Sequence, residues 1–296
     1  MAVYKRTYTR YSGPLTSERW RFTILPRYAL QSVLASRFYA GAFILALVPH
    51  LIALLLIYFR SHIDALIGLG IDARALEILS IDGGFFLQLF VVETFISFFM
   101  VALLGPGLIA PDLANNAMPL YLSRPFSRTE YVMGKLSVLL AVTSLITWVP
   151  GLLLFGLQTA LAGFSWAWDH SRILAAILLG SLLWLLTISL IALALSAWVK
   201  WRPVAAAALF GIFFVSAGFG TVSNVLLLTR WGTLLNLASA MSMVWRWLFL
   251  KEAQYRIATP PWGTLPAWAG LLSLLAVCGL ALLLLGWKIR PVQVVR

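Results

Sequence analysis

Glu93 is the single acidic residue inside a long apolar run of this sequence, and His50 lies inside the run before it. A carboxylate and an imidazole can form a buried polar pair, or they can stand along a path for ions or substrate. A carboxylate in hydrocarbon costs about 2.5–3.5 kcal/mol. Glu93 must therefore face protein or water, or carry a proton. His50 lies nine residues from Phe59 at one end of its run, and Glu93 eight residues from Phe85 at the matching end of the next. At about 1.5 Å per residue both sit roughly 12–14 Å deep, so adjacent antiparallel helices would bring them to one level. Other chemistry is sparse. His62 and His170 have no metal-ligand spacing with His50, and neither a G-x-S-x-G elbow nor a phosphate-binding G-x-x-x-x-G-K-[ST] loop occurs. Gly134-Lys135 continues with Leu136 and lacks the upstream glycine. Cys278 is the only cysteine, so no disulfide closes within the chain.

What positions these residues is a lipid-solvated scaffold. Of 296 residues, 61% are hydrophobic and 11% charged, and the mean hydropathy is +0.93. A soluble domain carries about 25% charged residues. A soluble enzyme, a nucleic-acid-binding domain and a disordered chain are excluded. Six runs reach the length of about 20 apolar residues that a spanning helix needs: Phe38–Phe59, Phe85–Ile109, Leu136–Leu157, Ile173–Val199, Val204–Leu228 and Leu265–Trp287. The expected fold is an all-α integral membrane protein of one domain, residues 1–296, with six spans. Trp166, Trp168, Trp198, Trp201, Trp231 and Trp287 mark their ends, where an amphipathic indole sits at the interface.

The net charge of +12 follows topology rather than a nucleic-acid partner. With the N-terminus in the cytoplasm, the inner segments hold fifteen cations, among them Arg27, Arg37, Arg124, Arg128, Lys135, Lys200, Arg202 and Lys288. The outer segments hold seven, including Arg60, Arg172 and Arg246. The positive-inside rule thus puts both termini in the cytoplasm. Two further segments read as membrane-parallel. After Pro26, in the cytoplasmic segment 1–37, Leu30, Val33, Leu34 and Phe38 share one helical face, flanked by Arg27 and Arg37. In the outer loop 229–264, Gly232–Leu250 places Leu234, Leu237, Ala238, Met241, Val244, Trp245 and Leu248 opposite Asn236, Ser239, Ser242 and Arg246. This second helix is interfacial or re-entrant.

The stretch 110–135 between spans two and three is the most informative. Asn115 or Asn116 can end the extension of span two in a left-handed conformation, and Pro119 can open a short helix through Leu122. Ser127-Arg128-Thr129-Glu130 is a capping box that fixes the start of span three. Capping alone does not require Leu120, Tyr121, Leu122 and Phe126 beside Arg124 and Arg128. Such a mix suits docking to a cytoplasmic partner.

Met118-Pro119-Leu120-Tyr121-Leu122-Ser123-Arg124-Pro125-Phe126-Ser127-Arg128, continued to Gly134-Lys135, resembles the intracellular loop of ABC-2-type permeases, the membrane subunits of type-2 ATP-binding-cassette exporters. The family usually has a charged stretch ending in Gly-Thr before this motif; here Asn115-Asn116-Ala117 stands there. The resemblance implies a bacterial inner-membrane subunit that is not itself an enzyme. No cofactor is expected on this chain. ATP and Mg are expected on a separate ATPase, seated against a coupling helix formed around Pro119, Leu120, Tyr121, Leu122, Ser123, Arg124 and Pro125, with Ser127 and Arg128 behind it. It also implies pairing with a second copy or a related chain. Gly211 and Gly218 share a face of span five, where small residues permit close approach, and are the expected two-fold contact. Two other classes compete: a secondary transporter or channel using Glu93 and His50, and a membrane-embedded lipid enzyme, for which no catalytic cluster is visible.

Overall fold

A computed structural model describes residues 24–68, 79–115, 117, 127–251 and 265–289. It is 86% helical without strands, and six helical stretches among the described residues are long and apolar enough to cross a membrane. An amphipathic helix α1 (Ile24–Leu34) precedes them. Span one is α2 (Arg37–Ala46) plus α3 (Val48–Ser61), followed by a short α4 (Ile63–Gly68). Span two is α5 (Gly83–Leu104) plus α6 (Pro106–Ala114), and span three is α7 (Arg128–Ser144) plus α8 (Trp148–Ala162). A one-turn helix α9 (Phe164–Asp169) leads to span four, α10 (Ser171–Trp198), and then span five, α11 (Arg202–Leu226). Helix α12 (Leu237–Phe249) and span six, α13 (Ala267–Lys288), complete the chain.

The first three spans each break once, near a proline. Pro49 and Pro106 occupy the first two positions of α3 and α6, and Pro150 lies in the first turn of α8. A proline is tolerated there because its missing N–H would have had no helical partner. In lipid the freed backbone groups still need partners. Near the third break the Thr143 and Thr147 hydroxyls are satisfied within their own span, donating to the carbonyls of Leu139 at 2.6 Å and Thr143 at 2.9 Å. At the second break Ser196 of span four accepts from the Ile109 and Ala110 amides, at 3.1 and 3.0 Å, and donates to the Pro106 carbonyl at 2.9 Å.

Span four is the hub. It packs against spans two, three, five and six and against α12. Span five is the periphery, with only Ala205, Leu209 and Gly220 buried.

The chain between spans five and six dips back into the bundle. A 3-10 turn (Trp231–Leu234) lies against α11, close enough that a Cβ on Gly220 would stand 2.5 Å from the Gly232 carbonyl. Ser273 donates to the Leu234 carbonyl at 2.7 Å. Gly220 is six residues from the C-terminal end of α11, and Ser273 six from the N-terminal end of α13. The tip of the segment therefore lies about 9 Å beneath the ends of its neighbours. From there α12 climbs back between spans two, four, five and six. Arg172 of span four donates to the carbonyls of Trp247 and Leu248 at its end, where a cation suits the exposed carbonyls.

Several expectations are corrected. Gly232–Leu250 is not one helix: Asn236, expected on a polar stripe, instead caps α12 by accepting from the Ser239 amide at 3.1 Å. Leu248 is only half-buried, whereas Ala240, Met243 and Phe249 are buried. The N-terminal helix ends earlier than expected: the chain turns at Ala35–Ser36, so Phe38 lies on span one and does not share a helical face with Leu30, Val33 and Leu34. Span two extends to Ala114, and Asn115 follows at φ −93°, not left-handed; Asn116 lies outside the described residues.

The bracketed inner loop and the buried ion pair

Pro119, Leu120, Tyr121, Leu122, Ser123, Arg124 and Pro125 lie outside the described residues. What holds the two ends of their loop is well defined. On the far side the capping box forms as the sequence dictates. The Ser127 amide donates to Glu130 at 2.6 Å, and the Glu130 amide donates to the Ser127 hydroxyl at 3.1 Å. Arg128 is the first residue of α7 and is exposed.

One turn further in, Tyr131 and Lys135 stand four residues apart on one face of α7, as helical geometry requires. Both reach Asp112 on α6. The Tyr131 hydroxyl donates to Oδ2 at 2.7 Å, and Lys135 Nζ lies 2.8 Å from the same oxygen. Lys135 Nζ is also 5.5 Å from the Tyr131 ring centroid, within range of cation–π attraction. Tyr131 is fully buried. Asp112 lies three residues before Asn115, so this clamp ties together the two helices that bracket the loop. Ser196 in turn fastens α6 to span four through the three hydrogen bonds at its break. The sequence reading missed the clamp. Its signal was a lone acid and a Tyr-x-x-x-Lys pair at the facing ends of neighbouring spans.

His50 and Glu93 are brought together. Nε2 of His50 lies 2.7 Å from a Glu93 oxygen, and their side chains are 6% and 3% exposed. The approach is off the ring N–H axis, and Nδ1 meets no hydrogen-bond partner. One turn deeper Ser97 accepts from the Trp184 indole at 2.8 Å and donates to the Thr94 carbonyl, tying spans two and four. Glu93 thus faces protein, not an open cavity. A cavity of about 430 Å³ next along span two is lined by Thr94, Phe95, Phe98, Trp184, Phe213 and Met241, between spans two, four and five and α12. Among the described residues, a Cβ placed on Gly211 or Gly218 would meet nothing within 4 Å. Among the described residues no group of His, Cys, Asp and Glu could hold a metal.

No curated protein matches the chain. Residues 28–287 match the family model described as ABC-2 family transporter protein. The match runs from α1 to the end of span six, through the bracketed loop and the re-entrant helix, and so the chain belongs to the ABC-2 family of transporter proteins.

Proposed function

We propose that this chain is the membrane subunit of an ATP-driven exporter in a bacterial inner membrane, with both termini in the cytoplasm, and that segment 116–126 is its contact with a separate ATPase carrying ATP and Mg. The observation that carries the reading is the clamp of Asp112, Tyr131 and Lys135. A loop whose two ends are tied together cannot be pushed without moving both spans as one body. Ser196 passes the same displacement to span four. This is what rigid-body coupling of a nucleotide site to a membrane path needs. The excess of cations on the loop side supports the orientation. A second copy, or a related chain, meets this one through span five. There Gly211, Val215, Gly218 and Val222 recur at helical spacing on the open face, and the glycines leave room for a close approach.

The test is partner retention. Changing Leu122 and Arg124 together to Asp is expected to detach the co-purified ATPase while leaving thermal unfolding of the membrane subunit unchanged. Full retention of the ATPase by the double variant would refute the contact.

A further inference from the structure

The re-entrant segment packs against spans five and six without closing the space between them. Its tip, at Leu235 and Leu237, forms the ceiling of a groove of about 540 Å³. Span four supplies one wall with Ile191, Ala194 and Trp198, span five a second with Ile212, and span six a third with Leu280 and Leu284. Spans five and six touch each other only sparsely, because α12 holds them apart. The groove runs from mid-bundle to the end of span four, over Ile191 to Trp198, about 10 Å of helix. That is most of one leaflet, whose hydrocarbon is about 15 Å thick. An unfilled apolar volume of this size forfeits its dispersion contacts, so lipid tails alongside will enter it.

The open end carries a headgroup's counterpart. The Trp198 indole donates to the Leu284 carbonyl at 3.1 Å, bridging spans four and six. Lys288 Nζ lies 5.1 Å from the Trp198 ring centroid. Lys200 follows in the short connection to span five, and Arg202 opens that span. The two described acids of this face are engaged elsewhere, Asp112 with Lys135 and Glu130 in its cap. Among the described residues, then, no carboxylate neutralises Lys288. A tail-sized apolar slot ending at an aromatic ring and an unpaired ammonium matches an anionic phospholipid.

We propose that this groove binds one anionic phospholipid, its acyl chain between spans four, five and six and its phosphate at Lys288. The reading needs only a bilayer and is independent of any ATPase or of which face is cytoplasmic.

The test uses the full chain in nanodiscs doped with phosphatidylglycerol or phosphatidylcholine bearing a photoreactive acyl chain, with adducts mapped by mass spectrometry. Phosphatidylglycerol is expected to label groove residues of spans four, five and six above other lipid-facing surfaces. Lys288→Gln should lower that labelling about fivefold, the worth of one cation at an anionic surface, and leave phosphatidylcholine unaffected. Ile212→Trp, which fills the slot from its half-exposed wall, should abolish it for both lipids. Equal labelling by the two lipids in the unaltered chain overturns the proposal, as does labelling insensitive to Ile212→Trp. Cross-linking of Leu280→Cys in one copy to another copy would give the groove to a protein neighbour and equally overturn it.

Discussion

Span two carries two carboxylates, and each ties it to a different neighbour. Glu93 meets His50 of span one, sealed from solvent and off the ring N–H axis. Asp112 meets span three near the end of the helix and accepts from Tyr131 while pairing with Lys135, which also stands over the Tyr131 ring. A buried pair is held mainly by the cost of leaving either partner alone. A pair with a third, well-aligned partner adds direction, because the hydroxyl fixes which oxygen is used. The first is a rivet between spans one and two. The second is a joint beside the coupling loop. The lesson is that these carboxylates differ in task by position: one lies deep in the bundle, the other beside the segment expected to move.

The largest expected effect breaks the rivet. His50→Leu leaves Glu93 buried without its partner and should cost about 3 kcal/mol, near the lower end for a severed buried pair. Glu93→Leu leaves a buried imidazole without its partner rather than a carboxyl group, so its cost should be smaller, about 1–2 kcal/mol. Glu93→Gln should cost least, since an amide can still meet the ring. The double change His50→Leu with Glu93→Leu should recover part of the loss. Thermal unfolding in detergent ranks the four. If the double variant is as unstable as His50→Leu alone, the pair is not what holds spans one and two together. Loss of transport in Glu93→Gln at full stability would return the pair to a pathway role.

The next effect tests the joint. Tyr131→Phe removes one hydrogen bond to a carboxylate and should cost about 1.5 kcal/mol. Asp112→Asn keeps the shape but removes the charge that Lys135 meets. Neither is expected to release the ATPase, because neither touches the segment proposed to contact it. Both should weaken the response of the spans to ATP. That response can be read as the ATP-dependent change in labelling rate of Ser80→Cys at the far face, with Cys278 changed to Ala. If Asp112→Asn alters stability but leaves the ATP response intact, the clamp is a second rivet and the contrast between the two carboxylates collapses.

Which features were legible follows from the range of the physics behind them. Hydropathy is local, so six spans could be counted from composition alone, and the capping box Ser127–Glu130 could be read residue by residue. The meeting of His50 and Glu93 was reachable because depth along a helix needs only a rise per residue and an adjacent antiparallel partner. The clamp was not, because Asp112, Tyr131 and Lys135 converge only when the rotation of α6 against α7 is known. Periodicity does not carry that angle. The broken spans were half-legible: Pro49, Pro106 and Pro150 are plain in the sequence, but the hydroxyl of Ser196 that makes the second break tolerable comes from a helix 90 residues away. The re-entrant tip was misread as helix because Asn236 fits a polar stripe as well as it fits a cap. Only the close approach of Gly220 and Gly232 separates the two.

The smallest expected effect separates the cap from the joint behind it. Ser127 is exposed and Glu130 half-buried, and their reciprocal hydrogen bonds satisfy two amides at the start of α7. Losing such a cap costs about 1 kcal/mol. Ser127→Ala should therefore fray the first turn, while Ser127→Asp, which can still accept from the Glu130 amide, should not. Fraying should stop at Tyr131, because its buried ring and its bond to Asp112 hold the second turn independently. Hydrogen exchange resolves this. In Ser127→Ala the amides of Thr129 to Tyr131 should exchange about fivefold faster, the equivalent of about 1 kcal/mol, with those beyond Lys135 unchanged. In Ser127→Ala combined with Tyr131→Phe the faster exchange should spread through Lys135. If it spreads that far in Ser127→Ala alone, then Asp112 does not hold span three, and the joint reduces to a surface pair whose motion the cap controls.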